Sequence, residues 1–273
     1  MIGETGMISC NRWRFGKALP AAFLFLVVIF SDGAFAGEVS QPNLDEGEAW
    51  PSPVMDSETY GLFLADLLEY EPSSSRGESG NINWDLLAWR GGDISRIWFK
   101  SEGRQNTTLN RGGEGDVRLL YGHLISPFFD VQAGVRYERG WGRDAVSRFQ
   151  AVLGLQGLAP YSFDIEPELY ISNRGEVSFR FTAEQDILFT QRLILQPRLE
   201  TGVSLQSVPS FGEGAGLNDL TLGARLRYEF WREFAPYVGV TWENQFGGTA
   251  DFSRRAGRSV RSLSTVAGLR VWI

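Results

Sequence analysis

Residues 189–206 read Phe-Thr-Gln-Arg-Leu-Ile-Leu-Gln-Pro-Arg-Leu-Glu-Thr-Gly-Val-Ser-Leu-Gln, and from Arg192 onward two unlike sets alternate. Arg192, Gln196, Arg198, Glu200, Ser204 and Gln206 share one parity, with Ile194 and Gly202 as its non-polar members. Leu193, Leu195, Pro197, Leu199, Val203 and Leu205 share the other, with Thr201 among them. Period-2 alternation describes a strand with two chemically different faces. Here the polar face carries full charges over several pleats, which a strand tolerates when that face meets water or counter-charges. A long strand of this kind, repeated along a chain, points to a transmembrane barrel with an apolar outside and a polar inside.

The repetition is present. From residue 60 the chain divides into twelve amphipathic segments, at 60–71, 81–90, 93–103, 116–126, 128–139, 147–158, 161–172, 176–188, 189–206, 217–230, 234–246 and 262–273. The connections alternate in length. Those after segments 1, 3, 5, 9 and 11 are mostly long, polar and Gly-rich, and those after 2, 4, 6, 8 and 10 are short. Only the short turn after segment 7 departs from this pattern. An even strand count with short turns at one end and long loops at the other describes an antiparallel up-and-down barrel of the bacterial outer membrane, with both termini periplasmic. Ser126-Pro127-Phe128, Ala159-Pro160-Tyr161 and Ala235-Pro236-Tyr237 recur at assigned short turns, where their rings suit an interface girdle. Pro167 and Pro197 each remove a ladder donor inside a strand and require local adjustment.

The N-terminus supplies the route to such a membrane. Arg12, Arg14 and Lys17 precede an apolar run at 18–30, and Ala34-Phe35-Ala36 is a small-x-small cleavage site. Residues 1–36 are therefore expected to be a secretory signal peptide, because the run is short for a membrane-spanning helix. Residues 37–59 hold Pro42, Pro51, Pro53 and six acids without a base, the composition of a disordered periplasmic linker. Residues 60–273 are left for the barrel.

Charge and cysteine content narrow the function. The chain carries a net charge of -7, which argues against a nucleic-acid partner. Its one cysteine, Cys10, lies in the expected signal, so the exported part has no disulfide, thiolate metal site or Cys nucleophile. His123 is the sole histidine and shares the outward parity of Val117, Leu119 and Tyr121. A Ser-His hydrolase on a barrel, as in outer-membrane phospholipases, would need a serine beside it. No Gly-x-Ser-x-Gly motif occurs, and a non-enzymatic role is expected.

The lumen offers more. Asp164, Glu166 and Glu168 stand on consecutive inward pleats, with Arg180 and Glu184 on the next segment and Arg198 and Glu200 beyond. Stacked carboxylates repel unless bases, water or a cation intervene. Two readings stay open: an inter-strand ion-pair network that closes the interior, or transient coordination of a cation. Carboxylates alone suit hard cations better than Cu(I).

Several stretches form longer motifs: Gly91-Gly92-Asp93, Ile97-Trp98-Phe99-Lys100-Ser101-Glu102-Gly103, residues 125–136 (Ile-Ser-Pro-Phe-Phe-Asp-Val-Gln-Ala-Gly-Val-Arg), Gly157-Leu158-Ala159-Pro160-Tyr161, residues 188–200, 223–228 and 232–238, and Gly248-Thr249-Ala250-Asp251. Together they resemble the copper resistance protein B family of bacterial outer-membrane proteins. The resemblance runs from about residue 55 to the C-terminus. It implies a monomeric barrel embedded in outer-membrane lipid, associated with a periplasmic multicopper oxidase, and serving copper tolerance by binding or exporting periplasmic copper ions. The candidate copper ligands are then Asp164, Glu166 and Glu168 in the lumen, Met55 in the linker, and His123. The chain departs from the expected pattern at Ile273, where such barrels usually end in an aromatic and Trp272 has the other parity, and before the barrel. Many members carry a Met/His-rich segment before the barrel, whereas residues 37–59 hold only Met55 and no His. The alternatives to a copper-specific barrel are a general pore and a structural barrel closed by its own charge pairs.

Overall fold

The computed structural model describes residues 59–73, 80–108, 112–142 and 145–273. The expected signal peptide, the linker and Met55 lie outside the described residues. The wall runs β1 (Tyr60–Glu71), β2 (Asn81–Gly91), β3 (Ser95–Asn106), β4 (Gly113–Ser126), β5 (Phe129–Trp141), β6 (Val146–Ala159), β7 (Phe163–Ser172), β8 (Val177–Gln185), β9 (Ile187–Leu188), β10 (Leu193–Ser204), β11 (Gly216–Tyr228), β12 (Phe234–Gln245) and β13 (Arg261–Trp272). Both β8 and β9 pair with β10 in one register, so they form a single wall strand interrupted at Asp186. Each wall strand pairs antiparallel with the next, and β13 returns to β1. The result is a closed twelve-stranded up-and-down barrel with no free edge, the β counterpart of a helix in satisfying its backbone within lipid. No helix of the described residues is long and apolar enough to cross a membrane.

The faces are inverted relative to a water-soluble protein. Outward Leu119, Val135, Phe149, Val238 and Leu263 are 53–68% exposed, whereas inward Arg118 and Gln132 are 1% and Glu168 is 2% exposed. An apolar outer belt around a charged interior is stable only where hydrocarbon covers the belt. The alternation read from the sequence therefore gives the correct faces, including β10, where Gln196, Arg198 and Ser204 are buried.

Both prolines sit where pairing is interrupted. The β6–β7 ladder skips from Gly154↔Glu168 to Gly157↔Ile165, leaving Pro167 unpaired on that side. The pairing of β10 with β8 and β9 skips from Arg198↔Glu184 to Leu195↔Ile187, leaving Pro197, which has no N–H to donate, unpaired on that side. Three findings depart from the sequence reading. Residues 189–192 form a turn, stabilised by Thr190 Oγ1 accepting from the Leu193 amide at 2.9 Å, and β10 begins at Leu193. Trp141 extends β5 into what reads as loop. The connection after β12 contains a helix, α1 (Gly247–Arg255), with Ala250 and Ser253 buried. Its glycine-rich start and its adjacent Arg254 and Arg255 hide the helical period.

The short-turn end holds the start of β1 and the end of β13. At the long-loop end the segment 205–215 folds over the interior. Val208 and Glu213 form a β-bridge, and Gly214 packs against Gly248 at the start of α1.

Candidate functional site: the ion-paired lumen

The inward parity of each strand delivers its charges to a shared interior, where they meet partners from strands that are not neighbours in the wall. Arg118 on β4 lies at its centre. Its Nη1 is 2.5 Å from Glu168 Oε2 on β7, its Nη2 donates to Glu102 on β3, and Asp116 and Glu166 complete the ring of carboxylates. The Tyr170 hydroxyl donates to Glu168 from the same strand. Lys100 Nζ reaches Glu166 at 2.5 Å and Gln132 at 3.0 Å. Arg180 then joins Glu102 at 2.7 Å to Glu200 at 3.2 Å, carrying the network across to β10.

Arg198 gathers a second ring: Glu184 at 2.7 Å, Glu200 at 2.5 Å, Asp85 at 3.0 Å and Asp66 at 3.6 Å. Asp66 passes the chain to Arg270 on β13 at 2.7 Å. Toward the long-loop end, Arg136 and Arg148 continue from Asp116 through Glu138. Glu213, from the folded-in loop, accepts from Arg148 at 2.5 and 3.2 Å, with Phe211 under the guanidinium at 4.1 Å. Thr249 of α1 ties down the same loop, accepting from the Gly214 amide at 2.8 Å and donating to Asn218 at 3.0 Å. Asn218 in turn donates to Ser204 at 2.6 Å.

Two consequences follow for chemistry. Planar guanidinium forks satisfy several carboxylates at once, and pairs such as Arg180–Glu102 span the lumen between distant strands. Acids also outnumber bases modestly, since the eight carboxylates around Arg118 and Arg198 share six bases: these two arginines with Lys100, Arg136, Arg180 and Arg270. Such an interior favours cations over anions.

The sequence-derived candidates separate in space. Glu166 and Glu168 come together around Arg118, already engaged by bases. Asp164 is exposed near the short-turn end and makes no ion pair with a described residue. His123 lies on the outer wall, with Nδ1 3.2 Å from Ser95 Oγ, and the Tyr121 hydroxyl donates to that same Oγ at 2.9 Å. The serine a hydrolase would need is therefore adjacent, but the described contacts include no carboxylate orienting His123. Met55 is outside the described residues. Sequence reading missed Lys100, Arg118, Glu102 and Glu213 as members of the site. Parity alone places the first three inward; their partners depend on which strands face each other across the lumen.

The donor set does not match a resident soft-metal site. Residues 59–273 contain no Met and no Cys, and the single His is on the opposite face of the wall. Among the described residues no group of three or more His, Cys, Asp or Glu side chains is arranged to hold a metal ion.

The family model described as "Copper resistance protein B precursor (CopB)" matches residues 59–273. A copper resistance protein B of Escherichia coli is 42% identical over 219 residues, covering 80% of this chain and 71% of that protein. A copper resistance protein B homolog of Pseudomonas syringae pv. tomato is 38% identical over 219 residues, covering 80% of this chain and 72% of that protein. Among solved structures, the KdgM porin matches at 14% identity and a TM-score of 0.44, over 78% of this chain and 98% of that one. The NanC porin matches at 10% identity and a TM-score of 0.49, over 78% and 99%.

Proposed function

Since the chain belongs to the copper resistance protein B family, we propose that it serves copper tolerance as an outer-membrane barrel whose acid-rich lumen gives cupric ions a low-affinity path or resting place. The observation that carries this reading is the surplus of carboxylates around Arg118 and Arg198. Oxygen donors of this kind suit a divalent, harder ion better than Cu(I). The exposed Asp164 near the short-turn end, which makes no ion pair with a described residue, is a carboxylate open to such an ion from that side. Copper here is cargo, and no bound cofactor is required.

In the same reading residues 1–36 are the export signal, both barrel termini are periplasmic, and the linker with Met55 lies on the side where a periplasmic multicopper oxidase would work. The barrel acts as a monomer without catalysis of its own. The test is deletion of the gene in its native bacterium, followed by growth in graded copper. Lower tolerance, restored by the wild-type gene but less well by an Asp164→Asn copy, supports the reading; unchanged growth of the deletion strain overturns it.

A second reading is favoured by one observation. Ion pairs such as Arg118–Glu168 and Arg180–Glu102 cross the lumen and fill it, which suits a structural or interaction barrel that passes nothing. Loss of tolerance on deletion, with no effect of any lumen substitution that leaves the barrel folded, is the result that selects it.

A further inference from the structure

The outer wall of β10–β13 and β1 carries a feature that the lumen reading does not use. A shallow groove of about 490 Å³ crosses it, lined by Tyr70, Leu195, Ala224, Val238, Val240, Thr265 and Ala267. Register explains its shape. Leu195, Leu226, Val238, Ala267 and Tyr70 lie in one lateral row, and the row above is Ala224, Val240 and Thr265. Small side chains at Ala224, Thr265 and Ala267 leave the depression, between the larger Leu195 and Tyr70.

Directly above, toward the long loops, Leu222, Trp242 and Leu263 form the next row, and Arg261 stands in the row beyond. Arg261 points outward, its guanidinium 5.9 Å from the Trp242 ring centre and bonded to Asn244 Oδ1 at 3.3 Å. It forms no ion pair with a described carboxylate, in a protein where nearly every inward arginine has one. From Thr265 to Arg261 the rise is roughly 13 Å at the usual strand spacing. A tryptophan therefore marks the boundary, with an unpaired cation on its polar side and an apolar depression on its hydrocarbon side.

We propose that this wall holds one anionic membrane lipid, its phosphate on Arg261 and an acyl chain in the groove between Tyr70 and Leu195. The vertical order of groove, tryptophan and arginine matches the order of chain, interface and headgroup in such a lipid. A second copy of the barrel fits less well, because a self-complementary contact would set two Arg261 guanidinium groups near one another with no described carboxylate to pair them. The inference rests on the membrane-barrel part of the proposed function and is independent of copper.

The test uses the full chain, purified in detergent, stripped of lipid and titrated with phosphatidylglycerol or phosphatidylcholine, with retained lipid counted by native mass spectrometry. Flotation with vesicles checks membrane insertion separately. One phosphatidylglycerol per barrel, held in preference to phosphatidylcholine, is expected. Arg261→Gln should weaken that preference roughly five-fold, as for one arginine at a lipid surface. Ala267→Trp, which fills the groove, should lower retention of both lipids while leaving flotation unchanged. Equal retention of the two lipids, or no change in Arg261→Gln, overturns the proposal. So does displacement by inorganic phosphate as effective as by lipid, which would mean the groove contributes nothing. Dimers that Ala267→Trp dissolves, with no lipid retained, would assign the groove to a second copy. Failure to float would overturn the membrane reading itself, a result distinct from floating without lipid preference.

Discussion

Arg118 and Glu168 meet at 2.5 Å across the lumen, from β4 and β7, two strands separated in the wall by β5 and β6. Side chains of both are almost wholly buried, at 1% and 2% exposure. Their contact is therefore made through the lumen rather than along the wall, and it ties together strands a quarter of the way round the cylinder from one another.

Arg118→Met is expected to destabilise the barrel by about 3–5 kcal/mol, because it leaves Glu168 buried without its base, whereas Asp116 keeps Arg136. The double variant Arg118→Met with Glu168→Gln should recover part of that loss, since the orphaned charge is removed with its partner. Urea unfolding in lipid vesicles, followed by tryptophan fluorescence, measures both. Equal losses in the single and double variants would show that the pair carries no coupling.

Glu166→Gln and Asp164→Asn should behave differently despite their adjacency in sequence. Glu166 faces Lys100 at 2.5 Å, and that lysine side chain is only 4% exposed, so neutralising the acid weakens a buried pair and lowers stability. Asp164 makes no described ion pair, so Asp164→Asn should leave unfolding within about 0.5 kcal/mol of wild type. It is consequently the substitution that separates copper handling from folding. A loss of copper tolerance in Asp164→Asn with unchanged urea unfolding is the expected outcome; tolerance equal to wild type removes Asp164 from the path.

Glu213 closes the long-loop end by its two bonds to Arg148. Glu213→Ala removes both and frees the loop from its anchor, while Thr249 still holds Gly214. In planar bilayers the wild-type barrel should stay near zero conductance, and Glu213→Ala should show intermittent openings with cation preference. Steady large conductance in the wild type would contradict the closed lumen and favour a general pore.

How much of this was legible in the sequence depends on which interactions define each part. Parity of residues such as Leu119 and Arg118 reports which face a side chain takes, because the pleat repeats every two residues whatever the partner. That was enough for the twelve wall strands, the closed barrel and the charged interior. Partners across the lumen, such as Glu102 with Arg180 or Arg198 with Asp85, depend on strand tilt and barrel diameter, which no single strand encodes. Glu213 was hidden for a further reason: it belongs to a loop, where no period marks an inward residue. The helix α1 escaped because four of its nine residues are Gly, Ser or Thr, which favour turns and caps over helix interiors.

Two glycines predict opposite kinds of damage. A Cβ on Gly157 of β6 would lie 2.0 Å from the Phe128 carbonyl oxygen, a backbone atom that cannot swing aside. Gly157→Ala must therefore push β6 away from the β4–β5 turn, where the Leu158 amide donates to that same oxygen at 3.0 Å. A loss of about 1–3 kcal/mol is expected, as for other forced overpacking. Gly175, in the β7–β8 turn, has open space around its Cβ position but a φ of 83°. Gly175→Ala meets no atom and is penalised only by the left-handed backbone, about 1–2 kcal/mol, and Gly175→Asn should cost less because Asn tolerates that region. Urea unfolding of the three variants checks the distinction: Asn at 175 should recover most of the loss seen with Ala, whereas equal losses for Ala and Asn would show that the turn is constrained by something other than its φ angle.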